Sequence, residues 1–172
     1  LALLYVIGIA VNMKKSATPA RKVSATPEAQ LKSFIAKFDS KNQALIRSCR
    51  KALQKRLPGT NELVYDNYNF FVIGYSPTER PTDSIISLAV NANGAGLAFP
   101  YCGSKLPDPH KILLGSGTQN RYVRLESAAT LSRPEVNALI SAAQELSKKP
   151  LPGAKRKLII RSVSAKQRPR RK

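Results

Sequence analysis

Leu31, Phe34, Ile35 and Phe38 recur at intervals of three and four, the spacing that lines one face of a helix. Thr26-Pro27-Glu28 predicts its start, with Thr as N-cap, Pro at the first helical position and an acid in the first turn. Asp39-Ser40 opens a second helix with the stripe Leu45, Cys49, Ala52, Leu53 and Leu57, and Pro58-Gly59 ends it. The other face of that helix carries Lys41, Arg47, Arg50, Lys51, Lys55 and Arg56, which reads first as a solvated charged face. The pattern then changes. β-branched and aromatic residues predict strands at Glu62 to Asp66, Phe70 to Tyr75, Ser84 to Asn91, Gly96 to Tyr101 and Asn120 to Leu125. Asp66-Asn67 and Asn69 are turn formers, and Asn93-Gly94 is a hairpin signal. Asp108 to Leu114 predicts a short helix stopped by Gly115, and Ser132 is the expected cap of a last helix with the stripe Val136, Leu139, Ile140, Ala143 and Leu146. This order predicts an α+β fold, an antiparallel sheet with helices packed on one side.

The length of 172 residues fits one domain with tails. The domain is expected over 26–147, with a flexible basic arm before it and a flexible basic tail over 148–172. The first twelve residues, LALLYVIGIAVN, are apolar but shorter than the ~20 residues that cross a bilayer. Met13 is the chain's only methionine, and residues 1–12 read as upstream translation, with a signal-like anchor as the rival. No stable membrane insertion is expected.

Charge sharpens this division. The net charge is +19, yet residues 26–147 contain all ten acids and fourteen Lys/Arg, leaving only +4 there. Residues 148–172 hold eleven basic residues and no acid. A basic tail on a near-neutral domain attracts polyanions, nucleic acid before anionic membrane. Lys155, Arg156, Lys157, Arg161, Lys166, Arg168, Arg170, Arg171 and Lys172 are the candidate phosphate contacts. No aromatic residue interleaves them, so the tail offers phosphate contact without base stacking. Leu158-Ile159-Ile160 offers an added strand that would hold the neighbouring cations at the surface.

Candidate chemistry is sparse. His110 is the only histidine and has no Cys, Asp or second His at ligand spacing. Glu62 and Asp66 share a strand face but lie roughly 13 Å apart at strand rise, whereas a retaining carboxylate pair needs about 5 Å. No nucleophile elbow is present. Cys49 and Cys102, the only cysteines, suggest neither a disulfide framework nor a zinc site, and reduced thiols in the cytoplasm are expected. No catalytic residue, metal ligand or cofactor is assigned. Tyr65, Asn67, Tyr68 and Asn69 form the most polar-aromatic patch, with a turn and rim tyrosines as the plain alternative. Gly115-Ser116-Gly117 reads as a structural turn. It could also line an anion pocket with Ser116 and with one of Arg121 and Arg124, which point to opposite faces of a strand.

The runs PGTNELVYDNYNFFVIGYSPTER, SIISLAV and KLPDPHKILLGSGTQNRYVRLESAATL, in this order, resemble the YdhG-like family, a bacterial domain of unknown function. The resemblance covers about 27–147 and implies a small α+β domain likened to the frataxin and YjbR folds, with no accepted catalytic residues. Two functions are therefore expected. The first is a non-catalytic binding domain whose basic tail has nonspecific affinity for DNA or RNA. The second is a small-ligand or iron-handling domain of frataxin-like shape, with a pocket between the YDNYN turn and the GSG loop. An acidic ridge suited to iron is missing, because the first helix offers only Glu28 and Asp39.

Overall fold

The computed structural model describes residues 25–147, 149–151, 153 and 155–172. The expectations for residues 1–24, including the apolar start and Met13, lie outside the described residues. Thr26 caps the first helix, α1 (Pro27–Ala36), by accepting a hydrogen bond from the Ala29 amide at 3.2 Å. Asp39 caps α2 (Ser40–Arg56) in the same way, accepting from the Asn42 amide at 2.8 Å. Gly59, at φ +79°, carries the turn that follows, which an L side chain would strain.

Among the described residues six strands follow: β1 (Asn61–Asp66), β2 (Phe71–Ser76), β3 (Ile86–Asn91), β4 (Gly94–Phe99), β5 (Arg121–Leu125) and β6 (Leu158–Val163). The third helix, α3 (Pro134–Leu146), lies between β5 and β6 in sequence. The strands form one sheet in the order β5-β4-β3-β2-β1-β6. β1 to β5 pair antiparallel, and Asn91 and Gly94 close the β3–β4 hairpin as the Asn-Gly signal predicts. β6 joins the far side of β1 in parallel, so the sheet is mixed rather than antiparallel throughout.

Alternation along each strand sorts its side chains between two faces. Val64, Phe71, Ile73, Ile86, Leu88, Leu97 and Val123 form one core with Leu31, Phe34, Ile46, Leu53, Leu139 and Ile140 of the three helices. Each such fully buried side chain contributes about 1.5–3 kcal/mol. The helices thus cover one face, as expected. The opposite positions of β2 to β4 are Val72, Gly74, Ser87, Ala89, Gly96 and Ala98, and among the described residues none of the three α-helices packs on that face.

Three expected elements differ. Asp108 to Leu114 is not helical. Pro107 and Pro109 bias their predecessors toward extended backbone. The Asp108 carboxylate instead accepts from the Ile112 and Leu113 amides, and Lys111 takes φ +53°. Gly115, at φ +103°, is therefore no helix stop; it turns the chain after Leu114, which bridges to Tyr122. Ser132 ends a short 3-10 turn, and Arg133 occupies the N-cap of α3 with no side-chain cap. Pro134 at the first helical position forces Arg133 to be extended and starts that helix without a serine.

Candidate functional site

The segment expected to be a flexible tail is built into the sheet. The Glu62 amide donates to the Lys157 carbonyl at 2.8 Å, and the Ser164 amide to the Asp66 carbonyl at 2.9 Å. Leu158 and Ile160 pack against the core. The expectation of a detached tail is corrected by two physical causes: an apolar strand pairs with the open edge of β1, and a buried charge receives an arginine. Leu158-Ile159-Ile160 does form the added strand.

The buried charge is Asp66, at the end of β1 and fully inaccessible. Arg170, whose side chain is 3% exposed, pairs with it at 3.0 Å. Lys37 at the end of α1 pairs with its other oxygen. Arg170 also donates to the Asn67 carbonyl and to the Asn69 carbonyl, the latter at 2.9 Å. Its guanidinium lies over the Phe38 ring at 5.8 Å. The Gln167 side chain donates to the Asp66 carbonyl, the Ser162 hydroxyl to the Asn67 side chain, and the Arg168 amide to the Tyr68 carbonyl. The Arg168 guanidinium lies 5.6 Å from the Tyr68 ring centre. Arg171 donates to the Ala36 and Lys37 carbonyls, which are unsatisfied at the C-terminus of α1. The YDNYN patch, expected to receive a ligand, is a socket for the chain's own C-terminal segment.

The expected phosphate contacts therefore divide. Arg170 is buried, Arg171 closes a helix end, and Lys157 pairs with Glu79. Arg156 is half-buried. Lys155, Arg161, Lys166, Arg168 and Lys172 are exposed along an ordered edge of the molecule.

The acids are engaged elsewhere. Glu62, 1% exposed, receives Arg50 through Nε and a terminal nitrogen at 2.7 to 3.2 Å, and Gln54 at 3.0 Å. Arg50 reaches Glu28 as well, at 3.0 Å. Glu135 pairs with Arg133, and Asp83 accepts from Thr78. Glu62 and Asp66 do share the helix-side face, each closed by its own cation. The basic face of α2 is likewise only partly free: Arg56 donates to Asn137, Ser141 and Gln144 of α3. Among the described residues no three His, Cys, Asp or Glu side chains are grouped to hold a metal ion. His110 lines a shallow cavity of about 200 Å³ with Asp108, Glu135 and Leu139. Cys49 is fully buried in the core, and burial pushes its thiol up to about 11. No helix among the described residues is long and apolar enough to cross a membrane.

A concavity of about 460 Å³ lies on the sheet face opposite the three α-helices of the described residues. One row of paired residues crosses that face: Tyr65, Val72, Ala89, Gly96 and Arg124. Val72, Ala89, Gly96 and Ala98 make a low floor. Tyr122 and Arg124 stand at the β5 side, Phe70 at one end, and Asn91, Asn93 and Asn120 along the rim. Ser84 packs over Gly74 and Leu63 is fully buried, so the neighbouring row is closed. Tyr65 borders the floor from β1. Burial raises its phenol above 10.0, with the nearby positive charge of Arg161 opposing the rise and Tyr101 adding to it.

Of the sequence-predicted ligand residues, Arg124 lines this trough and Tyr65 borders it. Arg121 turns to the other side and donates to the Gly117 and Asn120 carbonyls, as the opposite-face argument expects. Ser116 is exposed on its loop and does not line the trough. Asn67, Tyr68 and Asn69 belong to the Arg170 socket. Sequence reasoning missed Phe70, Asn91, Asn93, Asn120 and Tyr122. The alternation Gly94, Gly96, Ala98 in β4 was the available signal, because small residues on one face of a central strand leave a hollow.

Comparison of the chain with protein-family models, with curated proteins and with solved structures gives no match.

Proposed function

We propose that this protein is a non-catalytic nucleic-acid-binding domain whose phosphate contacts are held on an ordered basic edge. The observation that carries this reading is the docking of residues 155–172 along β1 and α1, which fixes Lys155, Lys166 and Lys172 at the surface. Engagement of most acids with internal partners leaves the excess of positive charge outward, and such a surface draws polyanions. Partly ordered cations lose less freedom on binding than those of a loose tail. We read the YdhG-like resemblance as shared ancestry, and it assigns no site. The iron-handling alternative draws no support from the described carboxylates, since those of Glu62 and Asp66 are closed by Arg50, Arg170 and Lys37.

The test is fluorescence anisotropy of labelled DNA and RNA with the full chain across a salt series. Binding with a log–log salt slope of several units is expected, at about −0.9 per phosphate neutralised on duplex DNA. The triple variant Lys155→Gln, Lys166→Gln, Lys172→Gln should lower that slope by about 2–3 units. Absence of binding near physiological salt, or an unchanged slope in the variant, refutes the proposal.

A further inference from the structure

We infer that the uncovered trough of the sheet is a platform for single-stranded nucleic acid, on which unpaired bases stack while Arg124 and Arg161 hold phosphates. The inference rests on the nucleic-acid reading above and adds a second, base-contacting surface to it. It begins with shape. The row from Tyr65 to Arg124 spans four inter-strand steps, roughly 19 Å at the usual spacing. Its middle is kept low by Ala89 and Gly96, and its ends carry rings and cations. The cavity of about 460 Å³ falls within the range of ordinary ligand pockets.

Chemistry selects the occupant. Phe70, 43% exposed, and half-buried Tyr122 line the trough with aromatic rings, and base–aromatic stacking tolerates any base. The amides of Asn91, Asn93 and Asn120 supply both donors and acceptors for base edges. The open-face positions of all six strands hold no Asp or Glu; Glu126 follows β5 and does not line the trough. Arg161, exposed, sits in the β1–β6 bulge beside Tyr65 at one end, and Arg124 is exposed at the other. A polyanion is thus attracted at both ends of an apolar, π-rich floor. A second copy would set Arg124 and Arg161 against their own like charges on this face. Duplex bases are already stacked and paired, so the rings have nothing to accept from a duplex.

The trough and the basic edge can be separated by experiment. A labelled single-stranded 12-mer and the same sequence as a duplex are titrated with the full chain, with Phe70→Leu/Tyr122→Leu and with Arg124→Gln. The parent is expected to prefer the single strand. Phe70→Leu/Tyr122→Leu should weaken single-strand binding about tenfold or more, from the loss of stacking, and leave duplex binding within about twofold. Arg124→Gln, an exposed change that leaves the rings in place, should reduce the single-strand salt slope by about 0.7. It decides the matter if the leucine variant fails to fold. Unchanged single-strand binding in the folded variants overturns the trough while the basic edge stands. A parent that binds neither form overturns both. Concentration-dependent dimerisation abolished by Phe70→Leu/Tyr122→Leu overturns the trough by showing that a second copy covers it.

Discussion

On β2, Phe71 and Ile73 are fully buried beneath the helices, whereas Val72 between them is half-exposed on the trough floor. The same contrast runs across the sheet. The helix side joins large apolar side chains with two buried carboxylates, each closed by arginine. The trough side has small floor residues, aromatic walls and cations with no acid among them. One face is shaped to exclude solvent and must satisfy every charge it takes inside. The other is left hollow at a modest cost in packing, and it is there that a ligand can be received. Strand alternation lets one short sequence serve both needs without compromise.

The strongest test of the packed face is its buried charge. Asp66→Ala leaves Arg170 buried without its carboxylate, and a loss of about 3–5 kcal/mol is expected in urea unfolding. Truncation after residue 147 should cost more, because it removes Arg170 and β6 together and reopens the edge of β1. If the truncated chain unfolds at the same urea concentration as the full chain, the C-terminal segment is not integral to the fold. The two faces can be compared directly on neighbouring residues. Phe71→Ala should cost about 3–5 kcal/mol, since it opens a cavity against Phe34 and Phe38. Val72→Thr should cost about 1 kcal/mol or less. Equal losses in thermal melts would remove the distinction between the faces.

Glycines give a smaller contrast. A Cβ at Gly103 would stand 2.4 Å from the Arg121 amide nitrogen, so Gly103→Ala forces backbone to move and should cost about 1–3 kcal/mol. A Cβ at Gly96 meets only ordinary contacts at 3.5 Å, and Gly96→Ala should leave stability unchanged or slightly raised. A large loss from Gly96→Ala would mean that the trough floor is under packing constraint. The smallest effect is acidic. Asp39 is held below 3.8, first by its hydrogen bond from the Asn42 amide, against some desolvation. Glu79 and Glu135 are held below 4.5, chiefly by the Lys157 hydrogen bond and by the Glu135 backbone amide with Arg133, respectively. A lowered folded-state value means that the stabilisation is fully present above the ordinary carboxyl values. It is lost as pH falls through the lower folded values. A shallow fall in melting temperature below about pH 4 is expected; Asp39→Asn should flatten part of it, and an identical pH profile in that variant would discount the cap.

Much of the architecture was legible because it rests on local rules. Thr26 and Asp39 cap as read, since a cap needs only a side chain and an amide three residues on. Asn93-Gly94 turns as read because Gly94, at φ +126°, is needed there. The short helix at Asp108 was misread because apolar spacing over seven residues cannot outweigh two prolines and a carboxylate that caps the wrong amides. The candidate site was less legible. Arg124 was singled out with Arg121 beside the Gly115–Gly117 loop, and the opposite-face rule left one of the two for a pocket. Phe70 and the hairpin residues Asn91 and Asn93 were not, because they reach Arg124 only through sheet pairing across several strands.

Charge counts, helix stripes, strand alternation and hairpin signals were fixed in this chain by neighbours a few residues apart, and the α+β class followed from them. The position of the last eighteen residues was decided only in the folded molecule. Arg170 in a run of basic residues looks like Arg168 or Arg171, and nothing local distinguishes it. It becomes the partner of Asp66, more than a hundred residues away, because β6 docks in parallel on β1 and carries it over an inaccessible carboxylate. Burial makes that charge costly to leave alone, and the cost is a property of the assembled core rather than of either residue.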